Sequence, residues 1–170
     1  MDTLASQLNE LLPDVSIVAG DSLCWSPSAK SITYRTGDTS DENIWGLLHE
    51  AGHARLQHTS FRSDMELLEL EVAAWDEAVK IGAKIGYKID SEHIQDCLDT
   101  YRDWLHQRSM CPRCGIVTFQ TTESQYNCYN CHKSWTVSAS RLCRPYRLAT
   151  GQKKNRLETI SQTVFQAKSR

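Results

Sequence analysis

The sequence predicts an α+β protein in which a domain of short strands and amphipathic helices is followed by a small cysteine-rich segment. Three β-rich runs, VSIVAG, SLCWS and SITYRT, lie close together between residues 15 and 36 and are separated by turn-forming residues. Apolar residues then recur with a helical period over three longer segments. From Cys111 onward the helical period stops and two CxxC pairs follow, so the last part of the chain is of a different kind.

Short local signals define the first elements. Leu4, Leu8 and Leu11 share one face of a helix that Pro13 ends. The three β-rich runs that follow predict two or three short antiparallel strands. Together these signals predict a small sheet preceded by a short amphipathic helix.

Three longer helices are expected after the strands. Thr39 and Glu42 form a capping signal for the first of them. The second ends at Gly82 and Gly86, since glycine is the usual residue at a helix C-terminus. The predicted extents are residues 43–58, about 63–84, and a third helix from about residue 90 or 91 whose apolar stripe reaches Leu105. A further helix, NRLETISQTVFQA, is predicted near the C-terminus.

Size and composition limit the class of protein. With 170 residues, 40% of them hydrophobic, the chain can bury one core and carry a small appendage. No run of about 18 apolar residues is present, so no membrane-spanning helix is predicted. The first residues, MDTLASQLNELLPD, are acidic and amphipathic, unlike the basic and then apolar plan of a signal peptide. We therefore expect a soluble protein located in the cytoplasm.

Charge is divided unevenly along the chain. Residues 1–131 carry ten Lys/Arg and twenty Asp/Glu, a net charge of −10, whereas residues 132–170 carry nine and one, a net charge of +8. This pattern indicates an acidic body with a basic tail. Such a tail is expected to meet nucleic acid, an acidic partner or the body itself.

The stretch NIWGLLHEAGHARLQH places His49, Glu50 and His53 in an otherwise apolar helix. Residues four apart lie on the same face of a helix, so His49 and His53 can direct two imidazoles at one metal ion. Glu50 is rotated by about 100° from His49 and can reach a water molecule without ligating the ion. This is the HExxH arrangement of zinc hydrolases, in which the glutamate is the general base.

A zinc ion at this position needs a third protein ligand. His58 follows His53 by five residues, and on a continuing helix it would be turned away by about 140°. Glu71 is the better candidate, because it lies on the apolar face of the next helix, opposite the charged face. A buried carboxylate requires a partner, and a zinc ion held by His49 and His53 supplies one.

These residues carry a family resemblance. HEAGH followed by ELEVAAWDEA resembles the ImmA/IrrE-like metallopeptidases, whose second motif is a glutamate followed three residues later by alanine and then by another alanine. Glu71, Ala74 and Ala78 occupy those places, whereas Trp75 stands where many relatives have a small polar residue. The resemblance covers about residues 31–86. It implies a zincin-like fold and zinc-dependent cleavage of a protein partner, such as a transcriptional repressor, inside the cell.

The predicted reaction is hydrolysis of a peptide bond by zinc-activated water. Glu50 is expected to take the proton of the water and pass it to the leaving amine. The SITYRT strand is expected to align an extended peptide by strand addition. For the group that stabilises the transition state, the sequence offers Tyr34, His58 and Tyr101 without choosing among them.

The two CxxC pairs predict a second zinc site. Cys111 and Cys114 are separated by 13 residues from Cys128 and Cys131. Each pair can form a tight turn that directs two thiolates at one ion, and Gly115 lets the backbone turn back. Because four thiolates close the coordination sphere, this zinc is expected to be structural. The segment resembles a zinc ribbon.

Basic and aromatic residues around the ribbon favour nucleic-acid binding. The candidate contacts to DNA or RNA are Arg113, Lys133, Trp135, Arg141, Arg144 and Arg147. A merely solvated basic tail is the alternative interpretation. An HExxH protease joined to a zinc ribbon also resembles the SprT-like proteins, which include DNA-associated proteases, although these use a third histidine where this chain offers Glu71.

Three parts are therefore predicted: a zincin-like metallopeptidase domain (residues 1–108, a short antiparallel sheet plus three long helices), a zinc ribbon (109–138), and a basic tail with a C-terminal helix (139–170). Two zinc ions, one catalytic and one structural, are the expected cofactors, and a protein substrate is the expected partner. The alternative is a nucleic-acid- or protein-binding adaptor in which the HExxH zinc is only structural.

Overall fold

The structure, a computed structural model, describes residues 1–138 and the backbone of residues 147–149. It confirms the α+β class, since the described residues form four helices and two small sheets. The helices are α1 (Asp2–Leu11), α2 (Asp41–Arg55), α3 (Asp64–Ile85) and α4 (Ser91–Ser109). The strands are β1 (Ser16–Gly20), β2 (Cys24–Ser26), β3 (Ser31–Arg35), β4 (Gln120–Thr122), β5 (Gln125–Asn127), β6 (Ser134–Val137) and β7 (Arg147–Ala149). The predicted C-terminal helix lies outside the described residues.

The chain divides into two compact units, Met1–Arg102 and Asp103–Arg170, and the division falls within α4. Each unit has its own cluster of buried side chains. Within the described residues, no helix combines the length and the apolar character that a membrane span requires.

The sheet of the first unit has the strand order β1-β3-β2, with β3 in the centre. β2 and β3 form an antiparallel pair in which Trp25 lies opposite Ile32. β1, however, is parallel to β3, with Ile17 opposite Ile32. The prediction of an entirely antiparallel sheet was therefore wrong. The reason is the strand order. β1 pairs with β3 and not with its neighbour in sequence, β2, and β1 and β3 run in the same direction. β2 lies on the other side of β3 and runs opposite to it.

The ends of α2 differ from the predicted ones. Ser40, and not Thr39, caps the helix, because the Ser40 hydroxyl accepts a hydrogen bond from the backbone N–H of Asn43 at 3.3 Å. The helix ends at Arg55, three residues before the predicted end. Gln57 adopts a left-handed φ of 55° there, so the chain turns back.

α2 and α3 pack closely in the core of the first unit. A Cβ atom added at Gly52 in α2 would collide with the backbone oxygen of Ala74 in α3. Ala74 and Ala78 are fully buried, as are Leu48 and Ile81 in the surrounding core. Small side chains at this contact allow the two helices to approach, which positions the residues described below.

The second unit is built around two stacked aromatic rings. Tyr126 in β5 and Trp135 in β6 have ring centroids 5.4 Å apart and nearly parallel planes, and both are buried. The indole N–H of Trp135 donates to the backbone oxygen of Arg108 at 3.0 Å, which ties β6 to the last turn of α4. The strand order is β4-β5-β6-β7, with antiparallel neighbours. β7 comes from the segment that the sequence assigned to the basic tail, so the sheet continues beyond residue 138.

Candidate metal centres

The side chains of His49, His53 and Glu71 meet at one point between α2 and α3. The Nε2 atoms of His49 and His53 are 3.1 Å apart. Oε2 of Glu71 lies 3.1 Å from His49 Nε2 and 3.5 Å from His53 Nε2. The structure thus brings together the three predicted ligands as a group that can hold a metal ion.

The spacing of these three atoms fits a small tetrahedral ion. Ligand atoms placed about 2.1 Å from a tetrahedral centre lie about 3.4 Å from one another. The observed distances are 3.1, 3.1 and 3.5 Å. Two imidazole nitrogens and one carboxylate oxygen are also a donor set that zinc accepts. The residues present therefore fit a zinc ion.

The environment of Glu71 favours the charged form that a cation requires. Only 4% of its surface is exposed, and burial by itself raises the pKa of a carboxyl group. The hydrogen bonds and charge interactions with His49 and His53 outweigh burial and hold the pKa of Glu71 far below its usual range. Glu71 is therefore ionised at neutral pH.

Glu50 lies outside the ligand group and is held by the sheet. Its Oε2 accepts a hydrogen bond from the backbone N–H of Trp25 in β2 at 2.6 Å. The predicted general base is thus fixed in place by a strand that is distant in sequence. Sequence reasoning missed Trp25, because no local signal predicts which backbone amide will face a given helix.

His58 stands outside the ligand group, but its position differs from the predicted one. Because α2 ends at Arg55, His58 is not turned away, and its Nδ1 lies 2.8 Å from Nδ1 of His53. The indole N–H of Trp25 donates to the backbone oxygen of His58 at 2.8 Å. Burial, and then the neighbouring His53, lower the pKa of His58, which favours its neutral form.

His49 is supported in a different way from His53. The ring of Trp75 lies against the His49 ring, with centroids 4.2 Å apart and planes tilted by 30°. Within the described part of the chain, the buried Nδ1 of His49 has no hydrogen-bond partner. Ligating histidines commonly donate this second N–H to an acceptor, so the described contact of the His49 ring is packing against Trp75.

The other two candidates for transition-state stabilisation are Tyr34 and Tyr101. The hydroxyl of Tyr34 donates to Oδ1 of Asp2 in α1 at 3.2 Å, and the side chain is buried. Tyr101 lies on α4, an element that contributes no member of the ligand group. The Tyr34 hydroxyl is thus engaged by α1, whereas His58 contacts the ligand His53 directly. The role of Tyr101 stays a prediction.

Cys111, Cys114, Cys128 and Cys131 form the second candidate centre. The Sγ atoms of Cys111 and Cys131 are 3.6 Å apart, those of Cys114 and Cys128 are 3.5 Å apart, and all four lie within 4.8 Å of one another. Sulfur ligands about 2.3 Å from a tetrahedral zinc lie about 3.8 Å apart. The six described cysteines are free thiols. The predicted four-cysteine group is thus assembled and fits a zinc ion.

The two turns of this group are shaped to present thiolates. The backbone N–H of Arg113 donates to Sγ of Cys111 at 3.4 Å, and Gly115 has the left-handed φ of 73° that the turn requires. Backbone hydrogen bonding lowers the pKa of Cys114 to about 6, whereas burial raises that of Cys131 to about 11. Four sulfur atoms this close cannot all be anionic unless a cation lies among them.

The residues predicted to contact nucleic acid differ in their exposure. The prediction for Trp135 was wrong, because its ring is completely buried against Tyr126. Of the basic candidates, Arg113 is exposed, Lys133 is half-buried, Arg141 and Arg144 lie outside the described residues, and Arg147 is described only by its backbone in β7. Among the described residues of this unit, the exposed aromatic side chains are Phe119 and Tyr129, which are 81% and 70% exposed.

Comparisons of the chain with protein-family profiles, curated proteins and solved structures found no match. The resemblance to the ImmA/IrrE-like metallopeptidases therefore depends on the residues quoted above.

Proposed function

We propose that the first unit is a zinc-dependent metallopeptidase that cleaves a protein partner. The observation that carries the proposal is the meeting of His49, His53 and Glu71 within 3.5 Å, with Glu50 held separately by the Trp25 amide. The resemblance of HEAGH and ELEVAAWDEA to the ImmA/IrrE-like metallopeptidases, and with it a zincin-like fold, supports the same activity.

The residues divide the work between binding and proton transfer. His49, His53 and Glu71 would hold the zinc ion, which when bound would act as a Lewis acid toward a peptide carbonyl and a water molecule. Glu50 takes a proton from the attacking water and delivers it to the leaving amine. Since the Trp25 amide engages Oε2 of Glu50, the second carboxylate oxygen can accept the proton while the side chain stays in place.

β2 is the strand that can align an extended peptide, in place of the predicted SITYRT strand. β3, which contains SITYR, is paired on both sides and cannot accept another strand. β2 is an edge strand, and the N–H of Trp25 points from its outer edge to Glu50. In an antiparallel strand the N–H and C=O of one residue share an edge. The Trp25 carbonyl is therefore placed to accept an N–H from a peptide beside Glu50.

The proposal is tested by metal content and cleavage together. The purified wild type should hold two zinc ions per chain, and His53→Ala or Glu71→Ala should hold one. Glu50→Gln should keep both ions and lose cleavage of a proteome-derived peptide library by about 100-fold or more, the scale of a general base. Glu69→Gln, an exposed glutamate of α3, is the matched control and should cleave like the wild type.

Three results would overturn the peptidase: a wild type without zinc at His49, His53 and Glu71, full cleavage by Glu50→Gln, or two ions with no cleavage of any peptide by the wild type. The last result would favour the adaptor, in which both zinc ions are structural.

The exposed Phe119 and Tyr129 favour a second candidate function, binding of single-stranded nucleic acid by the second unit. Bases stack on exposed aromatic rings with about 1–3 kcal/mol per base. Phe119→Ala and Tyr129→Ala should each weaken binding of a fluorescent single-stranded oligonucleotide about tenfold or more, and rising salt should weaken it further. The exposed Thr121→Ala is the control. Binding that neither substitution changes excludes this surface.

A further inference from the structure

We propose that His58 is a positioning residue that orients the metal ligand His53. The proposal depends on the zinc site proposed above and adds a role that neither the ligand set nor the general base supplies. It starts from the contact between Nδ1 of His53 and Nδ1 of His58, which are 2.8 Å apart.

This contact selects the ring nitrogen of His53 that carries the proton. Nε2 of His53 faces His49 and Glu71, so a metal ion held by the group uses the lone pair of Nε2. The proton of a neutral His53 is then on Nδ1. This N–H is donated to the Nδ1 lone pair of His58, which carries its own proton on Nε2. His58 thus stabilises the one tautomer of His53 that can bind the ion.

The backbone around His58 holds the ring in place for this role. The N–H of His58 donates to the backbone oxygen of His53 at 3.0 Å, and its carbonyl accepts the indole N–H of Trp25 at 2.8 Å. Gln57, which directly precedes His58, occupies the left-handed region with a φ of 55°, an uncommon conformation for a residue with a side chain. The chain therefore bends sharply at the end of α2 in a way that returns His58 to the ligand.

A neutral acceptor suits the charges already present. Partners of ligating histidines are commonly carboxylates or backbone carbonyls. Here Glu71 already contributes one negative charge to the ligand group, and Glu50 follows the ligand His49 directly in the chain. An imidazole acceptor orients His53 without adding a third carboxylate next to the ion.

A pair of variants of similar shape tests the role. Asparagine carries an acceptor oxygen close to the position of Nδ1, whereas leucine has a similar branched shape and no acceptor. In a competition with chelators of graded affinity, His58→Leu should release zinc from the first centre about 10- to 100-fold more readily than the wild type. His58→Asn should remain close to the wild type, and the four-cysteine centre serves as an internal reference that neither substitution changes.

A spectroscopic readout separates hydrogen bonding from packing. In the cobalt-substituted protein, the Nδ1–H proton of His53 should give a strongly shifted NMR resonance that exchanges slowly with water. It should persist in His58→Asn and be lost by exchange in His58→Leu. If His58→Leu does not fold, His58→Ala is used, and imidazole added to the solution should restore the zinc affinity.

Wild-type zinc affinity and a persistent resonance in His58→Leu, or no restoration by imidazole in His58→Ala, would overturn the role of His58. Those outcomes leave the proposed peptidase intact, because cleavage and the wild-type zinc content are measured separately. A wild type without zinc at the first centre overturns both proposals.

Discussion

The α-carbon of Gly52 lies against the backbone oxygen of Ala74, where α2 meets α3, and no side chain fits between them. Ala74 follows the ligand Glu71 by three residues, and Gly52 precedes the ligand His53 by one. The glycine of HEAGH is therefore a packing requirement: it lets the helix that carries two histidines approach the helix that carries the carboxylate.

Gly52→Ala should separate the two helices and remove the metal from the first centre. We expect the zinc content to fall from two ions to one and the free energy of unfolding to fall by about 1–3 kcal/mol from overpacking. Gly46→Ala, in the same helix, is the control, because its Cβ would meet only the flexible end of Leu23. Metal analysis and denaturant unfolding check both variants, and two zinc ions in Gly52→Ala would contradict the explanation.

Trp75 should report metal binding through its contact with His49. An open-shell ion bound to His49 lies within a few ångströms of the indole, whose ring is centred 4.2 Å from the imidazole. Adding cobalt to the metal-free protein should therefore quench part of the tryptophan emission. Trp75→Phe keeps a flat ring and should abolish this component, whereas Trp45→Phe should retain it, because the ring contact of Trp45 in the described residues is with His93. Unchanged quenching in Trp75→Phe would show that Trp75 is not the reporter.

Tyr34 should make the protein less stable in alkali without contributing to cleavage. Burial, then the hydrogen bond to Asp2 and its charge, raise the pKa of Tyr34. The folded state thus retains the proton to higher pH than the unfolded state, so this stabilisation is complete below about pH 10 and is lost as the pH rises through the folded pKa.

Denaturant unfolding between pH 8 and 12 measures this loss. Tyr34→Phe should flatten the alkaline part of the profile and leave peptide cleavage unchanged. Asp2→Asn, which removes the charge, should reduce the slope without abolishing it. Impaired cleavage in Tyr34→Phe would instead return Tyr34 to the candidate transition-state stabilisers.

The parts of the centres that could be predicted from sequence are those with a local geometric rule. Helical spacing placed His49 and His53 on one face, and a carboxylate on an apolar face identified Glu71 as their partner. The short spacing of the CxxC pairs predicted the four-cysteine group. These rules depend on positions within one or two elements, which is why they held.

Relations that depend on distant segments could not be read in the same way. The parallel pairing of β1 follows from the strand order, and no residue of β1 encodes that order. The left-handed conformation at the end of α2 is adopted by Gln57 and not by a glycine, so the sequence contains no signal for it. The helix was therefore predicted to continue to His58, with this side chain turned away from the metal. Trp135 lies among basic residues in the sequence, a pattern that is typical of residues that stack on bases. Its burial depends instead on its contacts with Tyr126 and Arg108.

The second unit should depend on its metal for folding. Among the described residues of this unit, the buried hydrophobic cluster contains five side chains, and two of them are the cysteines Cys111 and Cys128. A cluster of this size offsets little of the conformational entropy of the described residues, whereas structural zinc contributes about 10 kcal/mol or more of binding free energy at neutral pH. Cys114→Ser should therefore lose one zinc ion, shift the emission of Trp135 toward that of exposed tryptophan, and leave the zinc at His49, His53 and Glu71 in place.

Cys97→Ser, at a thiol outside both centres, should keep both ions. A folded second unit in Cys114→Ser, judged by unchanged Trp135 emission, would show that the Tyr126–Trp135 stack suffices without the metal.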